Sequence, residues 1–213
     1  MTIRAPDYAR PVAATDTAAR ILDAACDLIA EDGIDEVRIA RVAQRAGAST
    51  ALVHHYFSTR EELLEQALIH SFERTGDERF GGEPEAGPGT ATEGLAMAIR
   101  ESLPAPGPQE QEWVLWVELW LRAVREPDLR PVANRLYERY RAWIAAVLRA
   151  GVEAGEFDAG LDVEATADVA MALLDGAGVR AMLDDPGMDV PAARRLVAAA
   201  LAPLVGVEPG SLS

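Results

Sequence analysis

Two short helical patterns separated by a glycine turn constrain this chain more than any other feature. The first pattern spans Arg38 to Arg45, the second begins at Ser49, and Ala46-Gly47-Ala48 lies between them. Gly47 can adopt a positive φ at low cost, and the Ser49 side chain can cap the free N–H groups of the second helix. Two short helices joined in this way within a small bundle are typical of a helix-turn-helix.

Helical periodicity flanks this motif on both sides. A first helix is predicted over about 16–31, because its apolar residues recur at helical spacing and Gly33 follows them. A fourth helix begins at Ser58 or Thr59, because each is followed three residues later by a glutamate, as in a capping box. This helix is expected to end near Arg74.

The remainder of the chain also has a helical pattern. Residues 76–89 are rich in Gly, Pro and Glu, which predicts a loop and a boundary. Helices are then predicted over 90–103, 109–125, 128–154, 163–184 and 190–206. No stretch shows the alternation that predicts a strand. We therefore predict an all-α fold of about nine helices, with a flexible arm at 1–14, a helix-turn-helix domain at 15–75 and a larger domain at 76–213.

The distribution of charge favours contact with a polyanion, although the net charge of −15 opposes it. No Asp or Glu occurs from Val37 to Arg60, and this stretch holds four arginines, at positions 38, 41, 45 and 60. The other residues therefore carry −19. A compact basic patch on an acidic body suits a protein that binds a polyanion through one face.

Residues 33–64 resemble the N-terminal domain of the TetR family of regulators. The matching segments are Val42-Ala43-Gln44-Arg45-Ala46-Gly47-Ala48-Ser49, Tyr56-Phe57 and Arg60-Glu61-Glu62-Leu63-Leu64. The chain departs from the usual family pattern at Arg38 (often Thr), Ala48 (often Val), His54 (often Tyr) and Arg60 (often Lys). The resemblance implies a DNA-binding regulator with nine helices.

The resemblance also implies which residues contact DNA. Thr50 and Ala51 are expected to face base edges, His54, Tyr56 and Arg60 to face phosphates, and Arg38 to reach a phosphate or a guanine. The complete predicted DNA-binding set is Arg38, Ser49, Thr50, Ala51, His54, His55, Tyr56 and Arg60. Tyr56 could instead pack against the first helix, and Phe57 is expected in the core. A metal site at His54 and His55 is disfavoured, because adjacent helical residues point about 100° apart.

An aromatic cluster between positions 113 and 143 is either core or the wall of a pocket. The predicted pocket residues are Trp113, Trp116, Val117, Trp120, Tyr137, Tyr140, Met171 and Leu174. In the TetR family this region holds an effector pocket, and residues 113–157 look like the C-terminal domains of choline-responsive members. With Glu118 nearby, the unknown small-molecule effector is expected to be a cationic amine or a flat apolar compound.

The last two predicted helices carry small and apolar residues on several faces. The resemblance implies that they form a four-helix interface in a homodimer, and the alternative is an intramolecular core. The predicted interface residues are Val169, Leu173, Val179, Leu196, Ala200 and Leu204. Two copies placed about one helical turn apart would read a palindromic operator in double-stranded DNA.

The leading hypothesis is a repressor that a small-molecule effector releases from its operator; the alternative is an activator or a regulator without a ligand. An all-helical enzyme is disfavoured because nucleophile–base pairs are absent, and a protein-binding adaptor because of the arginine patch. No catalytic residue, metal or cofactor is expected. Cys26, the one cysteine, is predicted to be a small buried residue. Without a signal peptide or a long apolar run, the protein is expected in the cytoplasm and not at a membrane.

Overall fold

A computed structural model describes residues 16–80, 89–208 and 210–212, and it is all-α within them, as predicted. The nine α-helices of the described residues are α1 (Asp16–Asp32), α2 (Ile39–Arg45), α3 (Thr50–Tyr56), α4 (Arg60–Phe80), α5 (Ala91–Glu101), α6 (Pro108–Arg125), α7 (Arg130–Glu153), α8 (Val163–Met182) and α9 (Val190–Val205). Short 3₁₀ turns occupy Ile34–Glu36 and Pro127–Leu129. The arm predicted at 1–14 lies outside the described residues. None of the described helices has the length and apolar character needed to cross a membrane.

The helices form two compact units. The first contains α1 to α3, α4 up to Arg74, and the segment Val114–Asn134. Its core is built on α1, whose predicted apolar stripe is buried: Ile21, Leu22, Ala25, Leu28 and Ile29. The Cys26 thiol donates a hydrogen bond to the Ala67 carbonyl oxygen (3.1 Å), and burial raises its pKa to about 12. Cys26 is therefore the small buried residue that the sequence predicts, and its thiol has little nucleophilic character.

The second unit contains the described residues of 75–113 and of 135 onward. Helices α8 and α9 pack side by side in it, and α5 packs on α9. Thr90 and Glu93 form a capping box at the start of α5. The Glu156 carboxylate accepts hydrogen bonds from the Ala91 and Thr92 backbone N–H groups (2.9 and 3.0 Å), and these donors lower its pKa. This carboxylate therefore anchors the N-terminal end of α5.

The structure corrects one boundary and divides the chain differently from the sequence. The loop predicted from Gly76 is wrong as far as Phe80, because α4 continues to that residue. One glycine costs a helix only about 1 kcal/mol, so Gly76 alone does not end it. The first compact unit includes residues 114–134, whereas the sequence division at 75 and 76 assigns them to the larger domain. That division into functional domains stays a prediction.

Candidate nucleic-acid interface and effector region

The helix-turn-helix is built as the sequence predicts. Gly47 has φ 62°, and the backbone N–H of Ala48 donates to the Ala43 carbonyl oxygen at 2.8 Å, which closes the end of α2. The Ser49 hydroxyl accepts a hydrogen bond from the Leu52 backbone N–H (3.1 Å) and caps α3. Val53 is buried on the inner side of α3. These contacts fix α3 on its unit with one face in solvent.

The exposed face of α3 consists of small or polar residues. Ser49, Thr50, Ala51, His54 and His55 are all exposed in the structure. Tyr56 is half-buried, and its ring meets the His55 ring edge-on with centroids 5.3 Å apart. Phe57 has no exposed surface, so its predicted core position is confirmed. Contact of the exposed residues with bases and phosphates stays a prediction.

Arg60, the first residue of α4, forms hydrogen bonds with residues 34–37, which precede α2. The Arg60 side chain, 25% exposed, donates from Nε to the Val37 carbonyl oxygen (2.7 Å) and from Nη2 to the carbonyl oxygens of Ile34 (2.6 Å) and Asp35 (3.0 Å). Thr59 caps α4 by accepting from the Glu62 N–H (3.0 Å), as predicted. The fork of Arg60 therefore positions residues 34–37, a role that the sequence did not reveal.

The guanidinium of Arg38 lies against the same segment. Its Nη1 donates to the carbonyl oxygens of Asp35 (2.5 Å) and Val37 (3.3 Å), which also accept from Arg60. The two guanidinium groups therefore share two carbonyl oxygens at the start of α2, on the unit that carries α3. Arg60 also lies 3.6 Å from a carboxylate oxygen of Glu61.

The arginine patch is smaller in the structure than in the sequence. Arg41 pairs with Asp32 of α1 (2.7 Å), and Arg45 pairs with Glu31 through two hydrogen bonds (2.9 and 2.6 Å), which lower the pKa of Glu31. Residues 37–60 contain no acid, but α1 supplies acids from outside that stretch. Arg60 has Glu61 at 3.6 Å, so Arg38 alone of these four arginines has no carboxylate partner among the described residues.

The predicted pocket residues Trp116, Val117 and Trp120 belong to the first unit. Trp116 meets Phe72 edge-on (centroids 5.3 Å apart) and Trp120 in the same manner (5.6 Å). Val117 is on the surface of this unit, 38% exposed. Burial raises the pKa of Glu118, whose charged neighbours are Arg122 and Asp35. Arg122 itself pairs with Glu126 (3.7 Å), and the role of Glu118 as a ligand for an amine stays a prediction.

The other five predicted pocket residues belong to the second unit. Met171 and Leu174 are buried on α8, and Tyr140 is buried and stacked on Trp143. The Tyr137 hydroxyl donates a hydrogen bond to Asp175 Oδ2 at 2.8 Å. Trp113 fills the space beside Gly178, where any Cβ would overlap its ring. The sequence prediction missed Asp175, although a carboxylate one turn from Met171 and from Gly178 is a visible exception on an apolar helix face.

The predicted interface residues lie partly on the surface of α8 and α9. Val169, Leu196 and Leu204 are 42%, 43% and 45% exposed. Leu173, Val179 and Ala200 are half-buried. An apolar surface of this kind on two adjacent helices is typical of a protein–protein contact.

A capped, exposed α3 set at a glycine turn defines a helix-turn-helix transcriptional regulator. Residues 21–67 match the family described as bacterial regulatory proteins, tetR family, and residues 91–206 match the BetI-type transcriptional repressor C-terminal domain. The chain therefore belongs to the TetR family, and it is a ligand-responsive DNA-binding regulator.

Individual relatives agree with this assignment. The HTH-type transcriptional regulator BetI of Rhizobium meliloti is 27% identical over 81% of each chain. A putative transcriptional regulator from Saccharomonospora viridis, solved in complex with choline, is 28% identical, with a TM-score of 0.72 over 85% of this chain and 93% of its own. Bacillus subtilis FadR, solved in complex with stearoyl-CoA, is 26% identical, with a TM-score of 0.63 over 89% and 98%.

Proposed function

We propose that this protein is a repressor that binds a palindromic operator as a homodimer and leaves it when a small molecule binds the second unit. The observation that supports this proposal best is the α3 face, where a capped helix presents small and polar side chains to solvent. Small residues allow such a helix to approach base edges in a major groove. An effector releases the protein from the operator only if it has a higher affinity for the conformation that does not bind DNA than for the conformation that does.

The relatives support two classes of effector. One solved relative holds choline and another holds stearoyl-CoA. Choline belongs to the cationic class expected from the sequence, whereas stearoyl-CoA, a long acyl chain on a charged nucleotide, is not the flat apolar compound expected there. The aromatic and apolar residues of the second unit, Trp113, Tyr137, Tyr140, Met171 and Leu174, are the candidate contacts for either.

We expect operator binding to be strongly dependent on salt. DNA duplexes that the protein selects from a random pool should share a palindrome. If the protein makes about six phosphate contacts, raising the salt from about 50 to about 200 mM should weaken its affinity by about 10³-fold. Fluorescence anisotropy of a labelled duplex measures the affinity at each salt concentration. Ala51→Glu on the α3 face should abolish binding, and Ala142→Glu, which adds the same charge at an exposed position of α7, should not. Failure to enrich any sequence would contradict the proposal.

The dimer is tested by light scattering of the purified protein. We expect twice the chain mass of 22.8 kDa. Leu196→Glu should yield the monomer, because burying an unpaired carboxylate in an apolar interface is unfavourable. Leu121→Glu is the matched control, since Leu121 on α6 is exposed to a similar extent (47% against 43%). If light scattering gives the two variants the same mass, or if the parent protein is a monomer, the assignment of a dimer interface to α8 and α9 is wrong.

A further inference from the structure

Glu65 on α4 is the one charged residue that is buried among the residues that the structure describes, with 9% of its surface exposed. It lies two helical turns before Phe72, whose ring meets that of Trp116 on α6, so both residues lie on the α4 face that packs against α6. Within the described part of the chain, the Glu65 carboxylate forms no hydrogen bond or ion pair. A buried carboxylate without such a partner is unfavourable in its charged form.

The charged groups around Glu65 are mostly acidic. They are Glu61 and Glu62 on α4, and Arg122 and Glu126 at the end of α6. The two α4 acids have partners of their own, since Glu61 lies 3.6 Å from Arg60 and Glu62 accepts a hydrogen bond from the Ser58 N–H (2.7 Å). Arg122 is therefore the one cation that faces Glu65 among the described residues.

Arg122 faces more carboxyl groups than its guanidinium pairs with. Its Nη1 lies 3.7 Å from Glu126 Oε1, and its Nε is buried without a hydrogen-bond acceptor. The same guanidinium is the cation beside the half-buried Glu118, whose other charged neighbour is Asp35. Burial raises the pKa of both Glu65 and Glu118. A proton on Glu65 would therefore remove a negative charge that its surroundings do not balance.

Both helices of this junction lead to functional parts of the chain. Helix α4 begins at Arg60, whose side chain holds residues 34–37 before α2. Helix α6 belongs to both compact units, because its residues up to Trp113 lie in the second unit and those from Val114 lie in the first. A change in the packing of α4 against α6 therefore reaches residues that position the helix-turn-helix.

We propose that Glu65, facing Arg122 and Glu126 across the junction of α4 and α6, is a proton-responsive group whose protonated form holds the first unit in the arrangement that binds the operator more tightly. This inference rests on the proposed function and adds a regulatory input to it. Because folding raises the pKa of Glu65, its contribution to stability is complete below the ordinary glutamate pKa and is lost as the pH rises through the raised value. Operator affinity should therefore fall towards alkaline pH.

Glu65→Gln tests the proposal, because glutamine has the size of the protonated carboxyl group and does not titrate. Fluorescence anisotropy gives the operator affinity of the full chain at constant ionic strength. Histidine side chains also change charge between about pH 5 and 8, and His54 and His55 lie on α3 in both proteins, so the ratio of the two affinities is compared. Glu65→Gln should match the parent within about twofold at about pH 5 and bind about fivefold tighter at about pH 8.

Thermal unfolding of the same proteins gives a second readout that does not need DNA. The midpoint of Glu65→Gln should exceed that of the parent by about 2 °C or more at about pH 8 and should match it at about pH 5. Glu73→Gln is the matched control, because it removes the same charge from an exposed position of α4. This control should keep the pH profile of the parent in both measurements.

If either the affinity ratio or the midpoint difference stays constant across the pH range, the proposal is wrong. A Glu65→Gln variant that does not fold would also overturn it, because a neutral side chain should suit this buried position better than a carboxylate. A parent protein that binds no operator at any pH would instead overturn the proposed function. The midpoints would then still decide whether Glu65 responds to protons.

Discussion

Replacing Arg60 with glutamate is expected to weaken operator binding by about 100-fold, or about 3 kcal/mol, without unfolding the protein. The substitution removes three hydrogen bonds to the carbonyl oxygens of Ile34, Asp35 and Val37. It also places a negative charge near Arg38, whose guanidinium binds two of the same carbonyl oxygens. Fluorescence anisotropy gives the affinity, and circular dichroism confirms that the helices remain.

Two further variants separate positioning from direct phosphate contact. Arg60→Lys keeps the charge but not the planar fork, so positioning predicts a loss of about tenfold, whereas a phosphate contact predicts little change. Arg60→Gln removes the charge. If Arg60 contacts a phosphate, the slope of log affinity against log salt falls by about one for each copy. If Arg60 acts by holding residues 34–37, the slope stays the same while the affinity falls. Full binding by all three variants would contradict both roles.

The local parts of the helix-turn-helix follow from the sequence. The Gly47 turn and the Ser49 cap depend on interactions within a few residues, and the structure has both of them. The pairing of Arg45 with Glu31 could not be predicted in this way, because the partners are 14 residues apart on different helices. An acid-free stretch of sequence therefore says little about which acids surround it in space.

The end of α4 and the division of the chain into compact units also depend on contacts beyond the local sequence. The sequence predicts that α4 ends near Arg74 and that a loop begins at Gly76, but helix length depends on packing and on neighbouring residues as well as on one unfavourable propensity. The sequence division at 75 and 76 follows the order of the chain and stays a prediction, whereas the compact units depend on contacts such as that of Trp116 with Phe72. Asp175 is not in the predicted pocket because a lone carboxylate on a helix is ordinarily expected in solvent, and only the structure shows Tyr137 beside it.

Phe57→Ala is expected to cause the largest loss of stability, about 3–5 kcal/mol in the free energy of unfolding. Phe57 has no exposed surface and follows the last residue of α3, so truncation leaves a cavity between the buried faces of the DNA-binding unit. For a chain of this size the midpoint of thermal unfolding should fall by about 10 °C. Differential scanning calorimetry gives both the midpoint and the enthalpy.

Phe57→Leu and Tyr56→Ala distinguish the cavity from a local effect on α3. Leucine refills most of the volume and should cost less than about 1.5 kcal/mol, while Tyr56 is half-buried and its truncation should cost less than that of Phe57. Operator affinity at a temperature where each variant is folded should fall for Phe57→Ala, because the cavity loosens the junction of α3 with α4. A fall of less than about 3 °C in the thermal unfolding midpoint of Phe57→Ala would contradict the prediction, because removal of a completely buried ring should leave a destabilising cavity.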